Sequence, residues 1–132
     1  MTPELMWLTL TALMTALFWL PYILNRIAVR GLMGAMANPS EDDKPQSDWA
    51  KRAMKAHSNA VENLVVFAPL IIVSNVTGMS SPQIAMAAAV YFFARLAHYV
   101  IFVFGIPVLR TLSFAVGWLA TIYVALVLLG MM

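Results

Sequence analysis

Four long apolar runs set the pattern of this chain, and half of its fourteen charged residues fall in the short stretches between and beside them. About 20 consecutive apolar residues cross a bilayer as helix, so each run predicts one membrane span. The first is expected over about 5–29. Pro21 should kink it, since proline removes a backbone donor and crowds the preceding turn. Asn25 interrupts its apolar sequence, and Arg26 and Arg30, one helical turn apart, close it as anchors at the interface. Residues 31–48 read as a loop, with Asn38-Pro39-Ser40 as turn chemistry and Glu41-Asp42-Asp43 as a solvated acidic connector. The second span is expected over about 50–76, with Ser47 or Asp48 as N-cap and a bend at Pro69. A short uncharged turn leads to a third span over about 82–104. Gly105-Ile106-Pro107 then turns the chain into a fourth, over about 108–129. The fold class this predicts is an all-α integral membrane protein, a single domain built as an antiparallel four-helix transmembrane bundle.

Composition sharpens that picture. Of 132 residues, 62% are hydrophobic and 11% charged, where soluble domains carry about 45–50% and about 25%. All eight Lys and Arg fall at one end of such a bundle, and the turn over 77–83 at the other end has none. That asymmetry predicts both termini outside and the charged loops cytoplasmic, in an inner membrane. The net charge of +2 forms no soluble basic patch, so nucleic acid is not an expected partner. There are no cysteines, which excludes a disulfide framework, a protein thiolate nucleophile and a Cys-based metal site. The first apolar run is longer than the core of a signal peptide and lacks its basic flank, so it reads as a retained span.

Candidate chemistry lies where the second span begins. Arg52, Lys55, Asn59 and Glu62 are spaced three, four and three apart, which places them on one narrow stripe of a helix. Such a stripe is costly in hydrocarbon unless it faces protein or a polar ligand. Arg95, His98 and Tyr99 share a face near the end of the third span, and Arg110 opens the fourth at the same depth. One reading is a buried ion-pair network that fixes helix register, with Glu62 paired to Arg95. The other is a cationic, hydrogen-bonding cavity for an anion carrying several carboxylates or phosphates. His57 lies off the stripe and reads as an interface or capping residue, and His98 as part of the polar network. Neither has a second ligand at metal spacing, so no metal site is expected. Thr111 reads as a helix residue bonding back to the backbone. The alanines of 85–89 suggest a close helix contact, as at a subunit seam.

Lys55-Ala56-His57-Ser58-Asn59 with Glu62-Asn63 resembles the second-helix motif of the MAPEG family of membrane glutathione-dependent enzymes, bacterial members included. Arg95-Leu96-Ala97-His98 and the segment from Gly105 to Thr111 are similar to that family's third-helix motif and the turn before its fourth helix. Ala37-Asn38-Pro39 looks like its first loop, so the resemblance covers essentially the whole chain. It implies a homotrimer with glutathione as co-substrate, bound between adjacent subunits and reached from the cytoplasm. By position, Arg52, Asn59 and Glu62 would bind the tripeptide, with Lys55 and Tyr99 beside them. Arg95 would lie near its carboxylates, a neighbour's Arg30 would reach in, and Arg110 would sit beside the thiol as the catalytic residue.

Two departures bear on that expectation. Lys55 stands where the family usually has a second arginine, so a bidentate grip on a carboxylate becomes a single-point contact. Phe102 stands where several family enzymes carry tyrosine, so one hydroxyl is missing. The expected function is a membrane glutathione transferase or peroxidase that draws lipophilic electrophiles or hydroperoxides from the lipid. The alternative is a non-catalytic protein of the same fold that binds a lipid headgroup or another anion, or serves as an accessory subunit.

Overall fold

A computed structural model describes all 132 residues. The chain forms five helices: α1 (Pro3–Leu17), α2 (Trp19–Met36), α3 (Asp48–Val76), α4 (Pro82–Val103) and α5 (Pro107–Leu128). α1 and α2 together make one long rod, Pro3–Met36, so four rods are long and apolar enough to cross a membrane. The break between α1 and α2 falls at Phe18, three residues before Pro21. Proline acts there through its ring, which crowds the carbonyl one turn back, and through the donor it lacks. Tyr99 of α4 seals the break: its hydroxyl donates to the Phe18 carbonyl at 2.9 Å. Its ring also stacks on Phe18, with centroids 3.8 Å apart.

The rod runs past the expected end near residue 29. Gly31, with φ +73°, turns the backbone out of helix, and a last helical stretch then continues to Met36. A residue with a Cβ would be strained at that φ, which is why the change of direction falls on the glycine. α3 continues through Pro69 without a break in the helix.

The bundle interior comes in two parts. Away from the charges, Phe67, Ile71, Ile84, Tyr91 and Val124 form the larger cluster, with Phe67 and Tyr91 stacked 3.8 Å apart. Towards the charged end, α3 presents Ala50, Ala53, Ala56 and Ala60, a smooth face on which Phe18, Tyr22 and Tyr99 lie. Many large apolar side chains point outward instead, among them Leu24, Val65, Val66, Met86, Phe93 and Leu119. In water such a surface would associate; in a bilayer it is the solvated surface.

At the charged end the connection between α2 and α3 is clasped by Gln46, which is buried. Its amide donates to the Tyr22 carbonyl at 2.8 Å and to Asn25 Oδ1 at 3.2 Å, and its own oxygen accepts from Arg26 Nε at 3.1 Å. Asn25 Nδ2 donates to Ser47 Oγ at 2.9 Å. Ser47 is the N-cap residue of α3, as expected, but its side chain makes no capping bond. Arg30 donates to the Lys44 carbonyl at 2.8 Å and pairs with Asp43 at 3.6 Å. Arg26 and Arg30 therefore fasten the loop.

The Tyr99 bond yields a prediction. Tyr99→Phe keeps the stack on Phe18 and leaves that carbonyl without its side-chain donor, which should cost about 1–2 kcal/mol. Thermal unfolding in detergent should show a midpoint lower by a few degrees. An unchanged midpoint would mean that the break at Phe18 is held by packing alone.

Candidate functional site

The polar stripe of α3 lines a recess of about 410 Å³, formed by Met54, Lys55, Ser58, Asn59, Glu62 and Phe102 of α4. Lys55, Ser58 and Glu62 are exposed, and Asn59 and Phe102 are half-buried. The recess thus offers an ammonium, a hydroxyl, an amide and a carboxylate within two turns of one helix. Lys55 and Glu62 make no ion pair with each other or with any other side chain, since Arg30 with Asp43 is the one pair in the molecule.

Behind Asn59 lies Arg95, only 2% exposed. Its Nη2 donates to Asn59 Oδ1 at 2.5 Å and lies 3.4 Å from His98 Nδ1. The guanidinium carbon is 5.9 Å from the centre of the Phe114 ring. Nε is buried with no hydrogen-bond partner. The expected Glu62–Arg95 ion pair is absent: Asn59 takes the place of Glu62, which points into the open recess. Space for the buried arginine comes from Gly117 of α5, where a Cβ would stand 3.4 Å from Arg95 Cδ. Asn59 is itself fixed by Asn63, whose amide donates to the Asn59 carbonyl at 2.8 Å and to its Oδ1 at 3.3 Å.

Arg110 is half-buried in the first turn of α5, with its guanidinium carbon 4.7 Å from the Phe102 ring centre. Phe102 forms a wall of the recess, so Arg110 adjoins the recess across that ring. Thr111 Oγ1 donates to the Pro107 carbonyl at 3.3 Å, the backbone contact expected of it.

The other candidate residues lie apart from the recess. Arg52 turns from its stripe and donates through Nε to the Val103 carbonyl at 2.9 Å, closing the C-terminal end of α4. The turn makes room for it at Gly105: with φ +75°, a Cβ there would sit 3.3 Å from Arg52 Nε. Tyr99 is buried in the core at the Phe18 break. Arg30 is held on the connecting loop between α2 and α3. His57 accepts or donates at Nδ1 with the Tyr22 hydroxyl, 2.8 Å away. The fold of the chain thus brings together Lys55, Asn59, Glu62 and Arg95, with Arg110 beside them, and holds Arg30, Arg52 and Tyr99 elsewhere.

Ser58 and Met54 line the recess and were not singled out from the sequence. Ser58 is three residues after Lys55 and four before Glu62, so the periodicity that selected those two also selects it. Larger hollows along α4 and α5 are almost wholly apolar, such as one of about 530 Å³ beside Met86, Val116, Leu119 and Tyr123. They lie on the outward-facing surface, and none of them is lined by a charged side chain.

A search of curated proteins finds no match to this chain. The family model of MAPEG matches residues 5–130, which takes in all four rods, the recess and both buried and half-buried arginines around it. This chain belongs to the MAPEG family.

Proposed function

We propose that the protein is a membrane glutathione-dependent transferase or peroxidase acting on lipophilic electrophiles or hydroperoxides. Arg95 is the observation that carries this reading. It is a guanidinium almost wholly out of solvent with no carboxylate partner, standing behind one wall of a polar recess. An uncompensated buried cation favours an anion close by. A tripeptide with two carboxylates and one ammonium has matching groups here. Lys55 and the Arg95–Asn59 pair suit its carboxylates, Glu62 its ammonium, and Ser58 its peptide groups.

Glutathione supplies a thiol, which serves as nucleophile towards an electrophile or as reductant of a hydroperoxide. The chain's task is to keep that thiol ionised and shielded. A guanidinium within about 4–6 Å lowers a thiol pKa by roughly one to three units, and Arg110 beside the Phe102 wall is the group suited to it. Phe102 gives that wall an apolar face, fitted to a substrate that arrives from lipid. In this proposal the working unit is a homotrimer with sites between subunits. The charged end, where the recess lies, faces the cytoplasm of an inner membrane, and both termini are outside. A neighbour's Arg30 joins the site by exchanging its hold on Lys44 and Asp43 for a ligand carboxylate.

A second reading has its own support. Arg30 and Arg52 are both engaged within the subunit, which leaves Lys55 as the one extended cation in the recess. A single-point ammonium suits a headgroup phosphate or another anion bound without chemistry.

Calorimetric titration of glutathione into the detergent-purified protein separates the two. Glu62→Gln is the control, because Glu62 has no ion-pair partner to lose, whereas removing Arg52 would open the end of α4. We expect micromolar to low-millimolar binding that Glu62→Gln weakens roughly tenfold, the effect of one charge-assisted hydrogen bond. Lys55→Arg should strengthen it several-fold by restoring a bidentate contact. A folded wild-type protein that ignores millimolar glutathione sinks the enzyme reading and leaves the anion binder.

Arg110→Ala tests the catalytic step. Turnover of a model electrophile should fall by roughly a hundredfold or more, as when one stabilising donor is removed from an anionic centre. Glutathione affinity should change little. Equal losses in affinity and turnover would place Arg110 in binding and leave the thiolate without its partner.

A further inference from the structure

A second polar site lies at the other end of the bundle, where the chain has neither lysine nor arginine. Glu4, in the first turn of α1, is fully buried. Its Oε1 accepts from the Ser80 hydroxyl and from Asn75 Nδ2 at 3.3 Å. Asn75 is oriented in turn by Thr2, whose hydroxyl donates to Asn75 Oδ1 at 2.8 Å. Glu4 Oε2 is buried and no group of the chain donates to it. A buried carboxylate oxygen without a donor is costly, and such an atom marks where a donor from outside would bind best. The one cation of the chain at this end, the amino group of Met1, makes no ion pair with it, and Met1 is 90% exposed.

Glu4 also lines a groove of about 610 Å³ between the start of α1 and the first turns of α4. The volume falls within the range of small-ligand sites. One end of the groove is polar, with Glu4, Ser80 and Ser81. The rest is walled by Trp7 and Met86 over the small side chains of Ala85 and Ala89, one helical turn apart. Met86 is 65% exposed, so the apolar part opens to the lipid-facing surface. Ser81 caps α4, its oxygen accepting from Ile84 N at 3.2 Å, which leaves its proton free to donate. The positive end of the α4 dipole points the same way.

We propose that this groove binds a phospholipid with a primary ammonium headgroup: the ammonium donates to Glu4 Oε2, the phosphate lies at the start of α4 by Ser81, and an acyl chain runs along Trp7, Ala85 and Ala89. A primary ammonium fits where a quaternary one does not, because only the former has N–H groups to donate to the carboxylate. The proposal needs nothing of the chemistry in the recess at the other end.

Native mass spectrometry of the full chain, released from nanodiscs that hold equal parts phosphatidylethanolamine, phosphatidylcholine and phosphatidylglycerol, tests it. The wild type should retain the ethanolamine lipid over each of the others by roughly tenfold, the factor one charge-assisted hydrogen bond supplies. Glu4→Gln should abolish that preference. Ala85→Leu, which fills the groove and leaves Glu4 untouched, should abolish it too, and it decides the matter if the Gln variant does not fold. Equal retention of the three lipids by the wild type overturns the proposal. So does a preference that survives in folded Glu4→Gln or Ala85→Leu protein, which would place the lipid elsewhere.

Discussion

The buried Arg95 guanidinium is the constraint around which the charged half of this bundle is arranged. A cation taken out of solvent needs acceptors, and the fold supplies one good one, Asn59 Oδ1, together with an aromatic face at Phe114. To admit the side chain at all, α5 gives up a Cβ at Gly117. To hold Asn59 in place, α3 sets Asn63 one turn further on. Three helices are thus tied to one charge, yet none of them brings a carboxylate to it. An ion pair would have satisfied Arg95 within the chain and ended its attraction for an outside anion. An amide satisfies it in part and leaves that attraction standing.

The same economy separates two kinds of cation. Arg26, Arg30 and Arg52 spend their donors on Gln46 and on backbone carbonyls at helix ends and loops, where free acceptors are plentiful. Arg26 and Arg30 fasten the loop between α2 and α3, and Arg52 ties α3 to the end of α4. Lys55 is left extended in the recess, and Arg110 leans on an aromatic ring. Position decides the sorting. A guanidinium within reach of a terminal carbonyl is drawn to it, whereas Arg95, facing the middle of α3, meets carbonyls already bonded and takes the Asn59 amide oxygen instead.

Much of this was legible in the sequence. The four rods follow from apolar runs of spanning length, and their turns from Pro82, Gly105 and Pro107, residues that allow little else. The stripe of Lys55, Asn59 and Glu62 follows from helical spacing, which fixes the direction in which a Cβ leaves the axis. Spacing says less about the tip of a long side chain. Arg52 begins on the same stripe, but its guanidinium reaches a carbonyl of α4, an acceptor supplied by a turn distant in sequence. Tyr99 shares a face with Arg95, and its hydroxyl is claimed by a carbonyl that only the break at Phe18 makes available. The Glu62–Arg95 pair failed as an expectation for a related reason: charge complementarity ranks partners, but geometry gave Arg95 the shorter side chain of Asn59. Gln46 carries no periodic signal at all, and its role exists only once two helix ends meet.

The two polar ends of the bundle pose one problem and solve it with opposite signs. At one, a guanidinium lacks a counter-charge; at the other, one oxygen of a carboxylate lacks a donor. These two groups could have met only if they shared a depth in the bundle, and α4 sets Arg95 about 20 Å of helix beyond Pro82, which lies at the Glu4 end. In the readings proposed above, each is half of an interaction whose other half arrives from its own side: from the aqueous phase at the charged end, and from the lipid at the other. A bundle built only for stability would have filled both positions with apolar side chains of similar volume, at no loss of packing. That buried charge is retained at both ends, each beside an opening large enough for a ligand, is the strongest argument that this surface was shaped for binding and not only for folding.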